Sequence, residues 1–337
     1  MKNLSLITAV LLSLAAFALV AAGQTPTPTP TPDDEAPVKI DTVLLNIPVI
    51  ASDKQGKYVS GLKKDNFTIL QDGLKQDIEF FADDAAPMNV IILLDVSGST
   101  MPFLDNIRSA AKDFVKIFRP EDQGMIVTFA SGMSIVQTFT SDQKLLRKAI
   151  DNAGPRGPMG SNMQDVMYVL VKKQFAGVKG RKAIIVLTDG FVEGMAITNE
   201  TLLNTLAASD ILVYPLLFKT YIPPSFDRLP KVLKMSDGTT MTRDQFIKQA
   251  DENVRKKLLF MDMLATSTGG RLIANKSGSF KQSFQSIADE LKNQYVIGYY
   301  PPNTDDGKPH NVNVTVLPRE LVIRIKRSIR LTGRPSN

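Results

Sequence analysis

The feature of this sequence that most constrains its fold is a series of apolar runs, several of which end abruptly in acidic or hydroxyl residues. Six runs between residues 88 and 274 read as strands: MNVIILLD, GMIVTFA, SIVQTFT, KAIIVLTDG, ILVYPLLF and GRLIA. Segments with apolar residues at intervals of three and four, as over residues 103–118, separate most of them. This alternation predicts a doubly wound α/β domain with a mostly parallel, six-stranded sheet covered by helices on both faces.

The segments on either side of this α/β region, residues 88–293, alternate apolar and polar residues with a period of two. This pattern covers residues 43–49 and, at the other end, residues 295–299, 312–316 and 321–325. We therefore predict that residues 38–84 and 294–331 together form one immunoglobulin-like β-sandwich into which the α/β domain is inserted. The alternative is two small sheets that pack separately on the central domain.

Three shorter segments have weaker signals. The turn Gln71-Asp72-Gly73 predicts a hairpin between strands at 66–70 and 76–82. Residues 221–242 contain adjacent prolines and no clear period, and are interpreted as an insertion loop. The basic run 324–330 alternates with isoleucines, which predicts that its charges lie on the solvent face of a strand.

The N-terminus has the pattern of an export signal. Residues 1–23 combine one lysine, an apolar run and small residues at the end, as a cleaved signal peptide does. An uncleaved anchor helix is the alternative, because the run approaches the ~20 residues that span a bilayer. Residues 24–37 repeat Thr-Pro and predict an extended linker. We expect a secreted protein, or one in the periplasm or cell envelope of a bacterium, with no membrane span after signal cleavage.

Composition narrows the chemistry. The chain has no cysteine, which excludes thiol catalysis and disulfides, and a single histidine, His310, which leaves zinc fingers and histidine-based triads short of residues. Any metal must be held by oxygen, which favours Mg²⁺, with Mn²⁺ or Ca²⁺ as alternatives. The net charge of +6 is too diffuse to indicate a nucleic-acid surface.

Three polar clusters fall at the predicted ends of strands or starts of helices on one edge of the sheet. They supply Asp95, Ser97 and Ser99 from DVSGST, Ser161 from a second loop, and Asp189 from TDG. Because ligands of open parallel sheets bind beyond the carboxyl ends of the strands, these oxygens predict a divalent-cation site. Each cluster alone also suits a turn or a helix cap, and Asn162 or a shifted register could replace Ser161.

The stretch DVSGST resembles the Asp-x-Ser-x-Ser signature of the von Willebrand factor A-type domain, and the resemblance extends over about residues 88–293. In that family the two serines and a threonine from a second loop bind the cation, while aspartates help directly or through water. The resemblance implies these roles for Asp95, Ser97, Ser99, Ser161 and Asp189, with serine in place of threonine in the second loop. The flanking segments resemble a secreted bacterial group, abundant in Acidobacteria, related to von Willebrand factor A.

The resemblance implies a secreted, metal-dependent, adhesion-type protein-binding module and not an enzyme. Its partner would present a Glu or Asp carboxylate to the cation. One alternative is a structural envelope protein with a vestigial site. Another is a phosphoryl-transfer enzyme, but Ser97 and Gly190 stand where haloacid-dehalogenase-type phosphatases have acids.

Overall fold

The computed structural model describes most of the chain beyond its N-terminal segment. The predicted signal peptide, the linker and the candidate ligand Ser161 lie outside the described residues. No helix in the described ranges is long and apolar enough to cross a membrane. These ranges are 44–55, 57–83, 86–154, 162–190, 196–217, 230–235, 238–274, 280–302, 308–317, 320–326 and 328–330.

The described residues form sixteen strands and six α-helices. The strands are β1 (Leu45–Ser52), β2 (Phe67–Gln71), β3 (Leu74–Gln76), β4 (Phe80–Ala82), β5 (Met88–Asp95), β6 (Gln123–Phe129), β7 (Met133–Thr140), β8 (Arg181–Thr188), β9 (Ile211–Leu217), β10 (Val232–Lys234), β11 (Thr240–Thr242), β12 (Ile273–Ala274), β13 (Gln294–Tyr299), β14 (Pro309–Val316), β15 (Val322–Arg324) and β16 (Ser328–Arg330). The helices are α1 (Leu104–Val115), α2 (Gln143–Asp151), α3 (Met163–Val169), α4 (Asn199–Ala207), α5 (Arg243–Thr266) and α6 (Phe280–Lys292).

The central sheet has the strand order β12-β9-β8-β5-β6-β7, and every pair is parallel except β6 with β7. All eight residues of β5 are buried, as a strand covered on both faces requires. Val90, Ile92 and Leu94 pack with residues of α1, α2 and α6. Ile91 and Leu93 pack on the other face with residues of α3, α4 and α5. The predicted α/β fold with a helix layer on each face is confirmed.

Strands from both ends of the chain pair with one another outside this sheet. In the first sandwich sheet, of order β15-β1-β13-β4, β1 pairs with β13 from Leu45 opposite Tyr299 to Ile50 opposite Gln294. The second has the order β16-β14-β2-β3. Their facing side chains share one apolar core: Ile47, Val49, Ala51, Phe67, Ile69, Tyr295, Ile297, Tyr299, Val312, Val314, Val316, Ile325 and Ile329.

Two local predictions need correction. The turn at Asp72 and Gly73 forms, and both residues have positive φ (50° and 84°), as a two-residue hairpin turn requires. The strand predicted at 76–82 is instead divided between β3 and β4, which belong to different sheets. The region interpreted as an insertion loop contains the hairpin β10–β11, whose last residue, Thr242, caps α5 by accepting a hydrogen bond from Gln245 N (3.2 Å).

A buried carboxylate joins the sandwich to the α/β domain. Glu290 of α6 is fully buried. Its Oε2 accepts hydrogen bonds from Tyr58 Oη (2.9 Å) and Arg271 Nε (2.8 Å). Its Oε1 accepts from Tyr214 Oη (2.6 Å) and from the guanidinium of Arg324. Burial raises the pKa of both tyrosines, and the neighbouring carboxylate adds to the effect.

The solvent-face prediction for the basic run is wrong at Arg324 and Lys326. Arg324 pairs with Glu290, and Lys326 is fully buried. The Lys326 ammonium donates to the carbonyl oxygens of Ala207 (3.2 Å) and Ser209 (2.8 Å), at the C-terminal end of α4. A cation at this end satisfies carbonyls that the helix leaves without partners. The charge pattern alone did not show that the end of α4 would lie against the segment between β15 and β16.

Lys326 should make the stability depend on pH in a definite direction. Burial lowers its pKa from 10.5 to about 8, although Asp210 opposes the shift. Above pH 8 the unfolded chain therefore binds more protons than the folded protein, so the free energy of unfolding should rise with pH. The rise should end near pH 10, where tyrosines ionise more readily in the unfolded chain, because burial raises the pKa of Tyr299 in the folded protein.

We expect the free energy of unfolding of the wild type, measured in urea, to rise by about 2 kcal/mol between pH 8 and 9.5. Lys326→Met should remove most of this slope. Lys144→Met, on the exposed surface of α2, is the matched control and should keep it. Equal slopes in all three proteins would contradict this account of Lys326.

Candidate metal centre

The candidate site lies where the strand order of the central sheet reverses. The chain runs from β5 outward to β6 and β7, and then returns to the other side of β5 with β8. Leu94 is level with Leu187 in the parallel register, so Asp95 and Thr188 follow side by side. Such a switch point leaves a crevice beyond the carboxyl ends of the two strands.

The loop after β5 is held tightly by its own side chains. Ser97 N donates to Asp95 Oδ1 (3.0 Å), and Ser97 Oγ lies 3.2 Å from Ser99 Oγ. Thr100 is fully buried, and its Oγ1 donates to the carbonyl oxygens of Asp95 (2.9 Å) and Ser97 (2.8 Å). The structure thus brings Asp95, Ser97 and Ser99 together, and Thr100 closes the loop around them.

The end of β8 completes the other side of the crevice. Thr188 Oγ1 donates to Asp95 Oδ2 at 2.7 Å, and it accepts from Gly190 N at 3.0 Å. Gly190 has φ +79°, a conformation that side-chain-bearing residues rarely adopt. This turn leaves Asp189 partly exposed beside the buried Asp95. Thr188 was not among the predicted site residues, although it directly precedes Asp189 in TDG.

The second loop is described only from Asn162 onward, so the prediction for Ser161 lies outside the described residues. Asn162 N donates to the carbonyl oxygen of Ala130 (2.8 Å), and Asn162 Nδ2 donates to that of Ser131 (2.8 Å). These bonds attach the start of α3 to the β6–β7 turn. The Asn162 side chain makes this attachment through Nδ2, and this bond does not involve its Oδ1.

The electrostatics of the crevice favour a cation. Asp95 is 1% exposed, and burial raises its pKa from 3.8 to about 6. Hydrogen bonds from Ser97 and Thr188 oppose this shift, whereas the nearby charge of Asp189 adds to it. Two carboxylates therefore share a partly dry site, which is unfavourable without a positive charge between or beside them.

One protein cation already lies close to this edge of the sheet. A Cβ atom built on Gly190 would lie 3.8 Å from Lys257 Cβ and 3.9 Å from Lys257 Cδ, so this side chain of α5 passes the end of β8. Burial lowers the pKa of Lys257, and the charge of Asp189 opposes that shift. Sequence reasoning missed Lys257 because it lies about 70 residues from Asp189, on the helix after the insertion.

The donor set fits a hard cation. Two serine hydroxyls and two carboxylates offer only oxygen, the ligand atom that Mg²⁺, Mn²⁺ and Ca²⁺ prefer. Among the described residues no group of three or more His, Cys, Asp or Glu side chains is placed to hold a metal ion. A cation here would therefore depend on the hydroxyls of Ser97 and Ser99 as much as on the carboxylates.

Comparison with solved structures found partial likenesses. An aerotolerance-related membrane protein from Bacteroides fragilis shares 15% identity, over 60% of this chain and 98% of that one, with a TM-score of 0.46. BatB from Bacteroides thetaiotaomicron has 18% sequence identity; the match covers 61% of this chain and 100% of BatB, with a TM-score of 0.41. Proximal thread matrix protein 1 from the mussel byssus, solved with a zinc-occupied MIDAS motif, has 15% sequence identity. The match covers 66% of this chain and 49% of the mussel protein, with a TM-score of 0.46.

A search of curated protein sequences found no significant match. The sequence model of the von Willebrand factor type A domain matches residues 90–191, which run from β5 past the end of β8. The matched segment contains both strand ends that form the crevice. The structure around it has the α/β fold described above. Residues 90–191 therefore belong to a von Willebrand factor type A domain.

Proposed function

We propose that this protein is a metal-dependent protein-binding module of the adhesion type. The observation that carries the proposal is the buried Asp95 carboxylate, held by Ser97 N and Thr188 Oγ1 beside two serine hydroxyls. Domains of the matched family are typically interaction modules, often metal-dependent. The same geometry would be costly to keep if no cation ever bound there.

The proposed ligands are Asp95, Ser97 and Ser99 from the first loop, Ser161 from the second and Asp189 from the third. Mg²⁺ is the expected ion. A bound divalent cation would supply a Lewis-acidic positive charge at the edge of the sheet. Where the aspartates act through water, the directly bound serine hydroxyls are neutral and leave the cation able to attract an anionic oxygen.

We propose that this oxygen is the Glu or Asp carboxylate of a protein partner. A charge pair formed at the centre of an interface is shielded from water, so its strength depends on exclusion of solvent around it. Lys257 lies at the same edge and would favour an acidic partner surface.

The described residues at the crevice support binding more than catalysis. Phosphoryl-transfer enzymes that use a strand-end aspartate need a second acid as proton donor and acceptor. Ser97 lies at that position, and its hydroxyl contacts Ser99. We therefore propose a non-enzymatic role.

We also propose that the protein is exported to a bacterial envelope and that its flanks form an immunoglobulin-like sandwich. The apolar run at residues 4–20 and the Thr-Pro repeat support export. The two antiparallel four-stranded sheets with one shared core support the sandwich.

Affinity capture with cross-linking from bacterial envelope extract tests the proposal. We expect the full chain to capture a partner with millimolar Mg²⁺, to lose it in EDTA, and to regain it when Mg²⁺ is restored. Asp95→Asn bait should capture no more than the EDTA sample. Capture that EDTA does not change would contradict a metal-dependent interface.

A further inference from the structure

A second cavity lies at the opposite end of the central sheet from the candidate metal centre. It is an open pocket of about 460 Å³ between the first sandwich sheet and the start of β8, and its lining includes Asn46, Phe80, Lys182, Gln294 and Val296. This volume falls at the lower end of the range for small-ligand pockets, roughly 300–1,000 Å³. Because β8 begins here and ends at Thr188, the two sites are separated by the length of the strand.

Buried amide groups without partners line this cavity. Gln294 is fully buried, and in the described part of the molecule neither Nε2 nor Oε1 has a hydrogen-bond partner. The same holds for Oδ1 of Asn46. Alternation along β13 explains the position of Gln294, since Tyr295 and Ile297 point into the sandwich core while Gln294 and Val296 line the cavity. Buried polar atoms in folded proteins almost always have partners, so these atoms call for a polar occupant.

The charges around the cavity disfavour an ion as this occupant. Lys182 Nζ pairs with Asp210 Oδ2 at 2.7 Å, and the Arg181 guanidinium donates to the carbonyl oxygens of Ala86 and Leu291. A metal cation would meet the positive side chains of Lys179, Arg181 and Lys182. An anion would meet the acceptor oxygens of Asn46 and Gln294. A neutral group that both donates and accepts hydrogen bonds fits the open positions.

We propose that this cavity binds a secondary amide that carries a small apolar group, as a peptide unit does. The amide N–H would donate to Asn46 Oδ1, and the amide oxygen would accept from Gln294 Nε2. The apolar group would lie against Phe80, Ala82 and Val296. Phe80 is 42% exposed at the edge of its sheet, so binding would also cover this ring.

The test is ligand-observed NMR with the full chain and N-acetyl-alanine N-methylamide as the probe. Wild type should bind the probe saturably. Gln294→Met and Asn46→Ala should each weaken binding roughly tenfold, because each removes hydrogen bonds to the amide. Asn46 is partly exposed, so its variant keeps the test available if the Gln294 variant does not fold. Asp105→Asn, on the surface of α1, should bind as wild type does.

A second probe, N-acetylglucosamine, carries the same amide on a sugar. Binding of the peptide probe, alone or with the sugar, supports the proposal. Binding of the sugar alone, no saturable binding, or equal affinity in wild type and both cavity variants overturns it. A higher melting temperature for Gln294→Met in a chain that binds neither probe would show that the amide is only a buried polar group without a ligand.

Discussion

Replacement of Glu290 by alanine should lower the free energy of unfolding by roughly 3 to 5 kcal/mol. The carboxylate accepts hydrogen bonds from two arginines and two tyrosines, and its removal leaves all four without their common partner. The arginine side chains are about a third exposed (32% and 30%), so water can relieve part of the cost but not all of it. Urea unfolding of the full chain measures the effect.

The matched control is Glu252→Ala on α5. Glu252 pairs with Lys256 at 3.2 Å, but both side chains are exposed (59% and 71%), so this change should cost less than ~1 kcal/mol. Glu290→Gln keeps the size and loses the charge, and should fall between wild type and Glu290→Ala. If Glu290→Ala cost no more than Glu252→Ala, Glu290 would not join the sandwich to the α/β domain.

Asp95→Asn should stabilise the cation-free protein and remove most of its response to a divalent cation. At pH 7 the folded protein holds an ionised Asp95 whose pKa is about 6, so the neutral amide should stabilise the cation-free protein by up to about 3 kcal/mol. Wild type in Mg²⁺ at 100 times its Kd should gain about 2.7 kcal/mol, because the ion binds only the folded state. With an affinity at least tenfold lower, the variant should gain no more than about 1.4 kcal/mol at the same concentration.

Asp105→Asn provides the control for this pair of effects. It makes the same substitution ten residues away, at a carboxylate that is 95% exposed. Both its stability without cation and its Mg²⁺ response should stay close to wild type. Thermal unfolding of the three proteins, each with EDTA and with Mg²⁺, separates the two effects, and a Mg²⁺ response in Asp95→Asn equal to that of wild type would count against the site.

The elements best predicted from the sequence are those whose burial follows from the pattern of apolar residues. The run MNVIILLD identifies β5 because a strand buried on both faces must be apolar throughout, and a strand in that setting ends at the edge of the sheet where Asp95 begins the loop. The first-loop residues could be predicted for the same reason. Asp95, Ser97 and Ser99 lie within five residues of one another, so their proximity follows from one tight turn.

Contacts between distant segments could not be predicted in this way. Thr188 donates a hydrogen bond to Asp95 only because β8 pairs with β5. The register that places the two residues side by side could not be read from the sequence. Lys326 sits in a basic run that suits an exposed strand, yet α4 ends against it. The strand predicted at 76–82 is divided because β4 pairs with β13, about 200 residues later.

Direct titration of Mg²⁺ into the metal-free full chain by calorimetry tests the central claim most directly. We predict saturable binding of one ion per chain by wild type and by Asp105→Asn, and at least a tenfold loss of affinity in Asp95→Asn, since removal of one ligand charge costs more than ~1.4 kcal/mol. Mn²⁺ titrated in the same way should give the same order of affinities among the three proteins. Equal affinity in wild type and Asp95→Asn, or no binding by wild type, would contradict a cation site at the end of β5.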